Sequence, residues 1–132
     1  MSTISPTSKG NNAIFWILQI LMAGLFLMAG TMKLITPLDI MAKEMTWINS
    51  VPSITVRLIG LAEVAGGLGL ILPWLFKFIP NLTVWAAYGL AIIMICALVL
   101  HLVEGQYTNC VSVALFLVAL LFLANGRNRQ LK

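Results

Sequence analysis

The chain has 132 residues, of which 61% are hydrophobic and only 9% are charged. About a quarter of the residues in a soluble domain are charged, and a chain this small buries only about two thirds of its surface. The composition therefore excludes an ordinary soluble domain and indicates lipid as the solvent. The net charge of +4 comes from dispersed Lys and Arg, so nucleic-acid binding is not expected. The two cysteines have no metal-ligand spacing, and we predict neither a metal site nor a catalytic residue.

The chain begins with a polar segment, residues 1–12, which we predict to be a flexible N-terminal tail. The next segment, about 13–34, carries no charge until Lys33. At about 1.5 Å per residue it can cross the roughly 30 Å hydrocarbon core of a bilayer, so it is predicted to be the first transmembrane helix. A signal peptide is the other interpretation, but this apolar run exceeds the usual length of about 7 to 15 residues.

The longest connection, residues 35–54, is polar and includes a candidate interfacial helix, DIMAKEMTWI. The second span is predicted at about 55–72. Pro73 is expected to stop it, because proline lacks the amide hydrogen that a helix needs. The remaining segments are two further spans, at about 82–101 and 110–124, and a basic C-terminal tail, residues 127–132.

Together these segments predict an all-α fold, a polytopic membrane protein in which residues 13–126 form one antiparallel four-transmembrane-helix bundle. Four crossings place both termini on one side. That side carries five Lys and Arg against three on the other, so the positive-inside rule predicts cytoplasmic termini. The expected location is a bacterial inner membrane. The five cations are Lys9, Lys77, Arg127, Arg129 and Lys132.

Antiparallel helices place most of the polar residues of the spans in the same half of the bilayer. Lys33 ends the first span, Arg57 begins the second, and His101 ends the third. Glu63 lies about 9 Å deeper than Arg57 by helix rise. A buried carboxylate is unfavourable unless it is paired or lines a wet cavity. We therefore predict a ligand-binding pocket formed by Glu63, Lys33, Arg57 and His101, with Gln19 as a further candidate.

The alternative interpretation of these charges is a structural ion pair that fixes the helix register, with the long cations extending toward the headgroups. The neighbouring glycines support a close helix contact. Gly60 and Gly67 flank Glu63 on one side of the second span, and Gly30 lies on a stripe of the first. Because small residues let helices approach closely, we predict helix packing at Gly30, Gly60 and Gly67.

Three segments carry a resemblance to a known family: the first helix ends AGTMKL, the second reads RLIGLAEVAGGLGLILP and the third reads AAYGLAIIMICALVLH. With these the chain resembles the DoxX-like family of small four-helix integral membrane proteins, from about Ala13 to Arg127. Lys33, Arg57 and Glu63 match the characteristic polar residues of that family. The resemblance implies a link to redox or membrane-stress complexes, since the founding member accompanies a thiosulfate:quinone oxidoreductase. It supplies no catalytic residue.

Three functions stay open at this point. The first is an accessory subunit, without enzyme activity of its own, whose pocket binds a quinone, lipid or small amphiphile; a quinone-linked oxidoreductase is one candidate partner. The second is an assembly factor or chaperone that grips another membrane protein and binds no small ligand. The partners considered are the lipid bilayer and either another membrane protein or further copies of this chain in a homo-oligomer. The third is a small proton-coupled transporter that uses Glu63. Small multidrug exporters carry their glutamate in the first helix, where this chain has no acidic residue.

Overall fold

The computed structural model describes residues 9–131, apart from the side chains of residues 9–11, 46 and 47. This part of the chain is almost entirely helical and contains no strand. The elements are α1 Lys9–Ile35, α2 Leu38–Glu44, a 3-10 helix Thr46–Ser50, α3 Ser53–Phe76, α4 Asn81–Val103 and α5 Tyr107–Gln130.

Four of these helices, α1, α3, α4 and α5, form an antiparallel bundle. Helix α1 packs mainly on α3, α3 on α4, and α4 on α5, and a smaller contact between α5 and α1 closes the ring. Each of the four is long and apolar enough to cross a membrane. The predicted all-α four-helix membrane fold is therefore confirmed. We call the end where α1 and α4 finish the loop end, and the opposite end, where α1 and α4 begin, the terminal end.

The core of the bundle is made of apolar side chains, and many other large apolar side chains face outward. Leu70, Leu90 and Leu120 are almost completely buried between the helices. Ile17 and Leu115 are about two thirds exposed, as expected for side chains that contact lipid. A second apolar cluster holds α2 and the 3-10 helix against the loop end, and its buried members are Met41, Ile48 and Val56.

The spanning helices extend further than the hydropathy pattern predicted. Helix α1 begins at Lys9, inside the segment predicted as a tail, of which residues 1–8 lie outside the described residues. Helix α5 continues to Gln130 instead of ending near Ala124, and it includes most of the segment predicted as a basic tail. The physical reason is that Arg127 and Gln130 are buried, so side-chain packing continues beyond the last apolar residues.

Helix α3 also continues past Pro73, which was expected to stop it, and ends only at Phe76. Proline cannot donate to the carbonyl four residues earlier, that of Gly69. Polar groups from neighbouring helices commonly satisfy backbone groups near such a proline. Here Gln19 Nε2 donates to the Leu70 carbonyl at 2.7 Å. The helix ends where Lys77 adopts a left-handed conformation, with φ of 57°.

Helices α1 and α3 touch through their backbones at the glycines that the sequence marked for packing. A Cβ added at Gly30 would lie 2.6 Å from the carbonyl oxygen of Gly60, and one added at Gly60 would lie 2.8 Å from that of Gly30. At Gly67 the added atom would lie 3.1 Å from the Ala23 carbonyl oxygen. This close approach leaves no room for larger residues, and it brings Lys33 of α1 beside α3.

Candidate functional site

The buried ion pair of the bundle joins α1 to α3 near the loop end. Lys33 Nζ lies 3.0 Å from Glu63 Oε1 and 3.2 Å from Glu63 Oε2. The two side chains are 11% and 3% exposed. Glu63 is about 15 Å along α3 from Ser53 by helix rise, so the pair lies well inside the bundle. At this depth an unpaired charge is unfavourable, and here the opposite charge of the partner side chain compensates for it.

Helix geometry explains why these two side chains meet although their backbones lie at different depths. In an α-helix the side chains lean toward the N-terminus of their own helix. Lys33 is two residues from the end of α1, and it therefore leans deeper into the bundle. Glu63 belongs to the antiparallel helix α3 and leans toward the loop end. The two side chains approach each other across the Gly30–Gly60 contact.

Arg57 lies at the same end but has different partners. Its Nη1 donates to the carbonyl oxygen of Lys33 at 2.7 Å and to that of Thr36 at 2.9 Å. The last carbonyls of a helix have no partner within the helix, and a cation there also interacts favourably with the helix dipole. Arg57 therefore caps the end of α1, and this fixes the backbone from which Lys33 extends.

His101 is part of the turn between α4 and α5. Its Nδ1 is 2.8 Å from Gln106 Oε1, and the side chain is half-buried. Ser50 Oγ donates to Glu104 Oε1 at 2.6 Å and so ties the 3-10 helix to the same turn. His101 thus shares the loop end with Lys33 and Glu63, and its hydrogen bond is to Gln106.

Gln19 lies apart from the other predicted site residues. It precedes Lys33 by about 21 Å of helix, and it is fully buried toward the terminal end. Its Oε1 accepts a hydrogen bond from Arg127 Nε at 2.6 Å, while its Nε2 donates to the Leu70 carbonyl. The structure therefore brings Lys33 and Glu63 together, with Arg57 bonded to the backbone of Lys33. It places His101 at the same end of the bundle and Gln19 in a second polar cluster.

The centre of that second cluster is Arg127, which lies in the segment predicted to be a basic tail. Its guanidinium is completely buried and lies over the ring of Trp74, 4.4 Å from the ring centroid. Phe15 and Trp16 are also within cation–π distance, at 5.1 Å and 5.6 Å. Arg127 Nη1 donates to amide oxygens of two side chains, at 2.9 Å and 2.7 Å, and these are Asn12 and Gln130.

The spacing of residues in the sequence indicates that Arg127 shares the buried face of α5. Residues three or four apart share one face of a helix. Leu120, Leu123, Arg127 and Gln130 follow this spacing, and all four are buried. The polar members of the stripe lie beyond the apolar run, where hydropathy gives no reason to expect burial.

Comparison with known proteins identifies the family. The profile of the DoxX-like family matches residues 17–124, a range that includes the Lys33–Glu63 pair. No significant match was found among curated proteins or among solved structures. The family profile covers most of the chain, and the fold has the four membrane-spanning helices that the resemblance implied. The chain therefore belongs to the DoxX-like family.

Proposed function

We propose that this DoxX-like membrane protein is a small accessory subunit that binds a carbonyl-bearing amphiphile, such as a quinone or a lipid, at the Lys33–Glu63 pair. The observation that supports the proposal is the burial of this ion pair between helices whose core is mainly apolar. Ionisable residues within transmembrane helices are expensive and are usually retained for a function. A purely structural pair is a weaker explanation, because apolar residues of similar volume stabilise a protein equally well or better.

The chemistry of the pair suits a carbonyl ligand. An ammonium group has three hydrogens, and the contacts of Lys33 Nζ within residues 9–131 both go to the Glu63 carboxylate. A third hydrogen is available to a carbonyl oxygen of the ligand. The remaining lone pairs of the Glu63 carboxylate can accept a hydroxyl hydrogen of the ligand, such as that of a hydroquinone. The apolar tail of the ligand would then lie along the aliphatic helix faces.

Arg57 and His101 form the rim of the proposed site, since both are half-buried at the loop end. Arg57 holds the end of α1 through two carbonyls, which keeps Lys33 oriented toward Glu63. With cytoplasmic termini in a bacterial inner membrane, this rim faces the outer side. Reporter fusions at the C-terminus test the orientation: cytoplasmic activity is expected, and periplasmic activity contradicts it.

The test of ligand binding is mass spectrometry of small molecules extracted from the purified protein. Wild type is compared with the double variant Lys33→Met/Glu63→Leu, which removes both charges together and so avoids an unpaired buried ion. Lys43→Met is the matched control, because Lys43 is exposed on α2 at the same end. We expect one quinone or lipid species enriched in wild type and in the control, and absent from the double variant.

Other outcomes favour the other functions. If the wild-type protein is free of small ligands and another membrane protein co-purifies, an assembly factor is indicated. A transporter instead requires substrate-driven proton movement in liposomes that disappears in the double variant.

A further inference from the structure

The guanidinium of Arg127 uses only part of its hydrogen-bonding capacity. An arginine side chain has five N–H hydrogens. Nε donates to Gln19, and the two hydrogens of Nη1 are directed to Asn12 and Gln130. Nη2 is buried and has no hydrogen-bond partner among the residues whose side chains are described. One edge of a buried cation is therefore left unsatisfied, although the Trp74 ring provides a partial electrostatic partner.

No acidic side chain lies near this cation. All four acidic residues of the sequence belong to the loop end or to the half of the bundle next to it, and they are Asp39, Glu44, Glu63 and Glu104. The oxygens that contact Arg127 are neutral amide oxygens. A buried charge is strongly unfavourable unless an opposite charge accompanies it, so the terminal end carries a positive charge that the described residues do not neutralise.

A second buried donor lies beside the guanidinium. The Oε1 atom of Gln130 accepts from Arg127 Nη1 at 2.7 Å, and Nε2 is bonded to the same amide carbon. That Nε2 is buried and has no partner among the described residues. The unsatisfied nitrogens of this cluster are therefore both donors, and the group that would satisfy them is an acceptor with negative charge.

We propose that Arg127 and Gln130 form a binding site for a phosphate-type oxyanion at the terminal end of the bundle. Arg127 is three residues from the end of α5, about 4.5 Å by helix rise, so it lies close to the end of a spanning helix, where headgroups are expected. Asn12, whose side chain is exposed, accepts a hydrogen bond from Nη1, so the cluster extends to the outside of the bundle at this point. The phosphate of an anionic phospholipid and free inorganic phosphate share this chemistry, and the experiment distinguishes them.

The primary test is native mass spectrometry of the full-length protein in detergent, titrated with phosphatidylglycerol or with phosphatidylcholine. Arg127→Gln removes the buried charge, and Arg129→Gln makes the same change at an exposed arginine of the same helix turn. Loss of a charge-assisted contact weakens phosphatidylglycerol binding by about tenfold in Arg127→Gln, and Arg129→Gln retains wild-type binding. Equal loss in both variants overturns the proposal, because it indicates attraction to general positive charge.

Because Arg127→Gln can also disturb folding, a second variant provides an independent test. Gln130→Glu retains the oxygen that faces Nη1 and replaces the unsatisfied Nε2 by a carboxylate oxygen. This internal anion is expected to raise the Tm and to reduce phosphatidylglycerol binding by about tenfold, as in Arg127→Gln. A raised Tm with unchanged lipid binding overturns the proposal, since the guanidinium would then be a structural group only.

The two sources of phosphate are separated by adding inorganic phosphate to lipid-free protein in detergent. If phosphate raises the Tm of wild type but not of Gln130→Glu, free phosphate is the ligand. If only phosphatidylglycerol does so, the lipid headgroup is the ligand. If neither produces a shift that depends on Arg127, the proposal is wrong. This site is at the opposite end of the bundle from Lys33, so its failure leaves the proposed function unaffected.

Discussion

At the loop end the buried cation, Lys33, faces a carboxylate, whereas at the terminal end the buried cation, Arg127, faces amide oxygens and aromatic rings. Both cations are buried in the same bundle, but the groups that offset the cost of burying each charge differ in kind. The Lys33–Glu63 pair is neutral as a unit. The Arg127 cluster retains a net positive charge within the described residues.

This difference determines how each end tolerates mutation and what it can bind. A neutral pair can be replaced as a pair by apolar residues with little loss of stability, so stability alone does not account for its presence in the bundle. An uncompensated cation instead gains free energy when an anion binds. This difference is why we propose a neutral carbonyl ligand for the loop end and an oxyanion for the terminal end.

The largest expected effect comes from breaking the pair on one side only. Lys33→Met leaves the Glu63 carboxylate buried without a partner, and we expect a loss of about 3–5 kcal/mol in the free energy of unfolding. Lys33→Met/Glu63→Leu should recover most of that loss. The measurement is SDS-induced unfolding in detergent micelles, followed by circular dichroism. Additive losses in the double variant would contradict a mutual pairing.

A smaller effect is expected at the glycine contact that positions Lys33. Gly30→Ala places a Cβ 2.6 Å from the Gly60 carbonyl oxygen, and because backbone cannot move aside easily, we expect a loss of about 1–3 kcal/mol. Gly24→Ala and Gly89→Ala are matched controls, since an added Cβ meets nothing within 4 Å at either position. The same unfolding assay applies. Equal stability of all three variants would rule out a close α1–α3 contact.

The smallest of these effects is expected at the cap of α1. Arg57→Met removes the two hydrogen bonds to the Lys33 and Thr36 carbonyls, with an expected loss of about 1–2 kcal/mol. Amide hydrogen exchange should increase mainly at the end of α1 and in α2. Arg129→Met, at an exposed site, should leave both quantities unchanged. Uniform exchange changes throughout the bundle would show that Arg57 is not a local cap.

The sequence predicts the loop end better than the terminal end, for physical reasons. Lys33 and Glu63 lie within or next to long apolar runs, where any charge is conspicuous, and antiparallel threading brings them to the same half of the bilayer. Arg127 follows the apolar run and resembles an ordinary cytoplasmic anchor. Its burial depends on Gln19, which is 108 residues away in sequence, so hydropathy alone could not show it. The same contact places Gln19 in the Arg127 cluster, apart from the other predicted pocket residues.

Photo-crosslinking tests most directly whether the Lys33–Glu63 pair is a ligand site. A photoreactive quinone analogue is added to wild-type protein in lipid nanodiscs, and labelled peptides are mapped by mass spectrometry. We expect labelling concentrated in residues 26–37 and 56–67, removed by excess unlabelled quinone and absent from Lys33→Met/Glu63→Leu. Labelling spread evenly over the lipid-facing helix surfaces, and unchanged in the double variant, would contradict the proposed site.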